Sequence, residues 1–166
     1  MTDSMCRSIK NSTINSFIDS SCEKVKINKF PGAHSQQIQH YSKWTIKHDE
    51  PDSIVIVSGT NDINYDNPPS AAAISKKVLD IGRQAQKMGL KKIFICGITL
   101  RKSRFHDNII RDINLALRLQ SSEEGFIFID NDDIFRSDLN RDGLHLNPNG
   151  TDKLMHNILK HTCTTY

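Results

Sequence analysis

Polar side chains suited to catalysis follow three of the apolar runs in this sequence, and a serine stands near its start. The three segments are 31–35 (Pro-Gly-Ala-His-Ser), 58–62 (Ser-Gly-Thr-Asn-Asp) and 141–147 (Arg-Asp-Gly-Leu-His-Leu-Asn), and Asp3-Ser4 precedes a predicted helix. A hydroxyl, an imidazole with a carboxylate close in sequence, and amide donors are the groups that hydrolases use for nucleophilic attack, proton transfer and oxyanion stabilisation. The sequence therefore predicts a hydrolase site, provided that the fold brings these segments together.

Alternating strands and helices are the elements that must position these segments. Short apolar or alternating runs predict strands at 25–30, 53–58, 92–96 and 125–130. Amphipathic spacing predicts helices over about 5–19, 35–47, 74–88, 106–120 and 149–161. Such alternation is typical of a parallel sheet covered on both faces, whose ligands bind beyond the carboxyl ends of the strands. We therefore expect one three-layer α/β domain over residues 1–166, with the polar segments at one sheet edge.

Composition limits the class of protein. The 166 residues are 37% hydrophobic and 25% charged, as expected for one globular domain that needs no disulfide or structural metal. The four cysteines form no Cys-x-x-Cys pair, and we find neither a signal-peptide pattern nor an apolar run long enough to span a membrane. We expect reduced thiols and a cytoplasmic location. A net charge of +3 is too small to indicate a dedicated nucleic-acid-binding protein.

Four sequence blocks resemble those of the SGNH hydrolases, also called GDSL-type esterases. Residues 2–5 (Thr-Asp-Ser-Met) look like the nucleophile block, and Gly32 looks like the glycine block. Residues 59–62 (Gly-Thr-Asn-Asp) look like the Gly-x-Asn-Asp block, and residues 142–145 (Asp-Gly-Leu-His) look like the Asp-x-x-His block. The resemblance implies a flavodoxin-like α/β/α fold and a cofactor-independent, metal-independent esterase that acts on a small acyl or acetyl ester.

The resemblance also implies a role for each site residue. Ser4 would be the nucleophile, His145 the general base and Asp142 the group that orients the imidazole. The oxyanion hole would consist of the backbone N–H groups of Ser4 and Gly32 and the side-chain amide of Asn61.

Two departures from the family pattern accompany the resemblance. Thr2 stands where the nucleophile block usually begins with glycine, and only Met1-Thr2-Asp3 precedes Ser4, where the family has an apolar strand in the middle of the sheet. We therefore expect the first central strand to be missing or truncated, and we expect poor folding unless an apolar strand is joined ahead of Thr2.

Two other functions stay open beside the esterase. One is a catalytically inactive binding module that keeps the SGNH fold. The other is a nucleic-acid-associated domain, since some retrotransposon-encoded proteins carry an SGNH-type esterase domain, although no nucleic-acid-binding segment is expected here. The basic segment 101–104 (Arg-Lys-Ser-Arg) is interpreted as a solvated loop, and the alternative is that it guides an anionic substrate or nucleic acid. Trp44 is interpreted as a packing residue on a helix face.

Overall fold

The computed structural model describes residues 25–63 and 69–162. The predicted helix at 5–19, the nucleophile block with Ser4, and the expected defect in the first central strand all lie outside the described residues.

Three parallel strands form the described part of the sheet. They are β1 (Ser53–Ile56), β2 (Lys92–Cys96) and β3 (Ile127–Ile129), in the spatial order β1-β2-β3. In register, Ile54 pairs with Ile93, and Ile95 pairs with Phe128. Their β-branched and aromatic side chains favour strands that are covered on both faces. The predicted α/β fold with a parallel sheet is confirmed.

Helices cover both faces of this sheet. The helices are α1 (Ser35–Asp49), α2 (Ala71–Lys87), α3 (Asp107–Glu123) and α4 (Pro148–Thr162), and short 3-10 helices lie at Thr60–Asp62, Arg104–His106 and Arg136–Asp138. Ile93 and Ile95 of β2 pack in a core with α1, α2 and α3, whereas Phe94 and Cys96 pack in a second core with α4. This alternation produces three layers, because successive side chains of a strand point to opposite faces.

Two local predictions differ from the structure. Residues 25–30 contain a single bridge residue, Lys29, and no run of strand residues. Phe30 accepts the N–H of Ala33 in a turn at 3.0 Å, and its ring stacks on Tyr41, so its side chain packs against a helix. The interpretation of Trp44 as a packing residue is wrong: its side chain is 67% exposed and stacks on His48.

Candidate active site

Asp142 and His145 form a hydrogen-bonded pair within one short loop. Oδ2 of Asp142 lies 2.8 Å from Nδ1 of His145. Oδ1 of Asp142 accepts the backbone N–H groups of Leu144 and His145 at 2.9 Å each. An antiparallel bridge between Leu139 and Leu146 closes the loop, and we call residues 139–146 the His loop. The Asp-x-x-His spacing thus places carboxylate and imidazole in contact through a local turn.

Gly143 lies between the two members of this pair in a conformation that requires glycine. Its φ of 71° is in the left-handed region, and a Cβ built on it would lie 2.4 Å from Cβ of Lys102. Its backbone N–H donates to Asn140 O at 2.9 Å, and its carbonyl accepts the N–H of Lys102 at 2.9 Å. Glycine is therefore needed for both the turn and the close approach of the neighbouring loop.

The electrostatics of the pair favour a charged carboxylate. Hydrogen bonds from the backbone N–H groups of Leu144 and His145, and then from the His145 ring, lower the pKa of Asp142 to about 2. The charged carboxylate favours the tautomer in which Nδ1–H of His145 donates a hydrogen bond to it, which leaves Nε2 as the ring nitrogen that can act as a base. The His145 side chain is 21% exposed. The imidazole is thus oriented and still accessible.

Asn61 lies in a tight turn directly after β1. Residues 59–63, which we call the Asn61 turn, begin at Gly59 with a φ of 109° and continue through the 3-10 helix. A Cβ on Gly59 would lie 2.7 Å from Cδ1 of Ile98, so the turn fits closely against the core. Nδ2 of Asn61 donates to Ala33 O at 3.0 Å. This bond holds the Asn61 amide against the segment that contains Gly32.

A buried carboxylate joins the same two segments a second time. Asp62 accepts the backbone N–H of Ser35 at 2.9 Å and its hydroxyl at 2.7 Å. The hydroxyl of Ser35 also lies 2.8 Å from that of Ser58. Because Ser35 is the first residue of α1, Asp62 also satisfies a backbone donor at the start of that helix. The Gly32 and Asn61 segments are therefore held together by hydrogen bonds that involve the side chains of Asn61, Asp62 and Ser35.

Gly32 adopts a left-handed conformation at the start of this arrangement. Its φ is 75°, and among the described residues no atom lies within 4 Å of a Cβ built on it. Its backbone conformation disfavours any residue other than glycine.

The structure thus brings the predicted site residues together in two groups. Asp142 and His145 form one group, and Gly32 and Asn61 lie on segments that are bonded to each other. Ser4 lies outside the described residues, so its predicted position as nucleophile and oxyanion donor stays a prediction.

Arg101 is the residue of this region that the sequence analysis misinterpreted. The sequence predicts a solvated basic loop over residues 101–104, but Arg101 is 5% exposed. Its Nη2 donates to the carbonyls of Thr60 and Ile63, and the backbone N–H of the next residue, Lys102, donates to Gly143 O. The only sequence signal was its place after a central strand, at the crevice side of the sheet.

Among residues 25–63 and 69–162, no group of three or more His, Cys, Asp or Glu side chains is arranged to hold a metal ion. In that part of the chain, no helix has the length and apolar character needed to cross a bilayer.

Several solved structures with similar folds are described as esterases, lipases or acylhydrolases. A member of the lipolytic G-D-S-L family from Veillonella parvula is 18% identical and has a TM-score of 0.78, with 99% of this chain and 96% of that chain covered. A lipase/acylhydrolase from Enterococcus faecalis is 15% identical, with a TM-score of 0.75 and coverage of 99% and 96%. An acetyl esterase crystallised with acetate is 17% identical, with a TM-score of 0.70 and coverage of 84% and 73%. These likenesses establish the fold.

A family model provides the evidence for membership. No curated protein sequence matches the chain. The model described as the GDSL-like lipase/acylhydrolase family matches residues 22–153, which is well over half of the chain. That range includes the Gly32, Asn61 and Asp142–His145 blocks, and it agrees with the resemblance read from the sequence. The chain therefore belongs to the GDSL-like lipase/acylhydrolase family.

Proposed function

We propose that this protein is a serine esterase that cleaves a small acyl or acetyl ester through an acyl-enzyme on Ser4. His145 acts as general base and Asp142 orients and stabilises it. The backbone N–H groups of Ser4 and Gly32 and the side-chain amide of Asn61 form the oxyanion hole. The observation that carries the proposal is the contact of 2.8 Å between Asp142 Oδ2 and His145 Nδ1.

Acylation begins when Nε2 of His145 takes the proton from the Ser4 hydroxyl as its oxygen attacks the ester carbonyl carbon. The carbonyl oxygen becomes negative in the tetrahedral intermediate and receives hydrogen bonds from the three oxyanion donors. An amide nitrogen carries two N–H groups, so the bond from Asn61 to Ala33 O uses one and orients the other. The intermediate then collapses, the bond to the alcohol oxygen breaks, and His145 gives its proton to the departing alcohol.

Deacylation repeats these steps with water. His145 takes a proton from water as the water oxygen attacks the acyl carbon on Ser4. The second tetrahedral intermediate uses the same oxyanion donors, and its collapse releases the carboxylic acid and returns the proton to Ser4. Throughout both steps, Asp142 stays ionised beside the imidazolium, as its lowered pKa requires.

Covalent labelling tests the nucleophile directly. A fluorophosphonate probe should modify Ser4, as located by mass mapping, and hydrolysis of p-nitrophenyl acetate should fall by about 10⁶ in Ser4→Ala and in His145→Ala. Ser122 is an exposed serine in the last turn of α3. Ser122→Ala is the matched control and should keep both the labelling of Ser4 and the turnover. Labelling at another serine would remove Ser4 from its role. A folded protein that neither labels nor hydrolyses esters would instead be a binding module with the same fold.

A further inference from the structure

We propose that Arg101 is a positioning residue that couples the Asn61 turn to the His loop. The inference rests on the function proposed above, because it assigns the Asn61 turn to the oxyanion side and the His loop to the acid-base side of one site. It concerns a residue that touches neither substrate nor reacting atoms.

The guanidinium of Arg101 holds the Asn61 turn at both ends. Its Nη2 donates to the carbonyl oxygen of Thr60 and, at 3.4 Å, to that of Ile63. Thr60 is the first residue of the 3-10 helix, and Ile63 directly follows its last residue. Asn61 lies between these two carbonyls, so the orientation of its amide depends on a turn that the arginine closes.

The backbone beside the same residue holds the His loop. The N–H of Lys102 donates to Gly143 O at 2.9 Å, between Asp142 and His145 in sequence. The Lys102 side chain also lies against the position that a Gly143 Cβ would occupy. A shift of residues 101–102 would therefore act on the loop that carries the catalytic pair.

Arg136 anchors this bridge from the other side. Its Nε donates to Arg101 O at 3.0 Å, and its Nη2 lies 2.6 Å from Oδ1 of Asp107 at the start of α3. Arg101 thus has its backbone tied to one arginine and its buried side chain tied to the Asn61 turn. Displacement of catalytic groups by about 1 Å can cost about 100-fold in rate, so a rigid bridge between the two loops has a catalytic consequence.

Kinetics separate positioning from a purely structural role. In Arg101→Met, which keeps much of the apolar stem and loses the donors, kcat for p-nitrophenyl acetate should fall between about 10- and 100-fold with little change in KM. Arg101→Lys should recover part of that loss, because one ammonium can still donate to a carbonyl. All variants are compared under conditions in which circular dichroism shows them fully folded.

Arg83→Met is the matched control. Arg83 is partly buried, whereas Arg101 is buried, and Arg83 donates to Asp80 at 2.6 Å and to Glu124 at 2.8 Å, in a network that contains none of the site residues. The Arg83→Met variant should have a lower free energy of unfolding and an unchanged kcat. A folded Arg101→Met with wild-type kcat would overturn the proposal.

Hydrogen exchange tests the coupling without any reference to activity. In Arg101→Met, backbone amides of residues 59–63 and of residues 140–146 should exchange faster together, whereas Arg83→Met should leave both segments unchanged. Faster exchange in one segment alone, or in neither, would refute the coupling. If Arg101→Met does not fold, Arg101→Lys replaces it in both the kinetic and the hydrogen-exchange comparison. A wild-type protein that hydrolyses no ester would refute the proposed function, while the exchange result would still decide the bridge.

Discussion

Replacing Asp142 by asparagine removes the negative charge beside His145 and reverses the hydrogen bond between them. In the native loop, Oδ1 accepts the N–H groups of Leu144 and His145, and Oδ2 faces Nδ1 of the ring. Asparagine has one oxygen, and the two backbone donors retain it. Its NH₂ group therefore faces Nδ1, which must become an acceptor, and the ring proton moves to Nε2. An imidazole protonated at Nε2 cannot take the proton of Ser4.

The expected loss in kcat is up to about 10⁴, the magnitude known for the corresponding change in another serine hydrolase, or about 5 kcal/mol in activation free energy. Turnover of p-nitrophenyl acetate measures this loss. Nitrogen-15 NMR of the imidazole reports whether the proton lies on Nδ1 or Nε2. Asp152→Asn, an exposed aspartate on α4, is the control and should change neither readout. A loss below about tenfold, or a proton that stays on Nδ1, would refute this account of Asp142.

The same carboxylate makes stability depend on pH. Its pKa is about 2 in the folded protein against an ordinary value of 3.8, so it stabilises the fold above about pH 4, and that contribution is lost as the pH falls toward 2. The full shift corresponds to about 2.4 kcal/mol, but the side chain is 49% exposed, and solvent screening reduces the contribution to about 1 kcal/mol. Urea unfolding at pH 5 and pH 2.5 should show a larger difference between wild type and Asp142→Asn at pH 5, because the contribution of the carboxylate is only partly lost at pH 2.5.

Two further substitutions separate catalysis from architecture on the oxyanion side. Asn61→Ala should lower kcat by about 10²–10³ with little change in KM, measured by steady-state hydrolysis of p-nitrophenyl acetate; an increase in KM alone would make Asn61 a substrate-binding group. Asp62→Ala should lower the free energy of unfolding by about 1–3 kcal/mol, because the buried N–H and hydroxyl of Ser35 lose their acceptor, and should reduce kcat less than Asn61→Ala. Urea unfolding and the same assay give both numbers, and an unchanged unfolding midpoint in Asp62→Ala would contradict the role given to this carboxylate.

Features encoded by local patterns were predictable from the sequence. The spacing over residues 74–88 predicted the helix that the structure places at Ala71–Lys87, where Ser70 caps the start by accepting the N–H of Ala73 at 3.2 Å. Asp142 and His145 are three positions apart, so a single turn suffices to pair them. A regular hydrophobic periodicity, or a short separation between two residues, determines the local structure without any contribution from distant residues.

Features set by distant partners were not predictable. Arg101 is buried in contact with Thr60, which lies 41 positions earlier in the sequence. Nothing in the segment 101–104 indicates that contact. Residues 25–30 alternate like a strand, but Phe30 packs against Tyr41 of α1. Trp44 has the spacing of a packing residue, yet it lies on a side of α1 that the described elements leave uncovered.

The closed His loop also bears on how the site assembles during folding. The bond between Asp142 and His145 closes a loop of three positions, so little chain entropy is lost in making it. The bonds of Ser35 with Asp62 and of Arg101 with Thr60 span 27 and 41 positions and form only when remote parts of the chain have met. We therefore expect the Asp142–His145 pair to form early in folding, and the bonds of the Asn61 turn to form later, when distant parts of the chain have met.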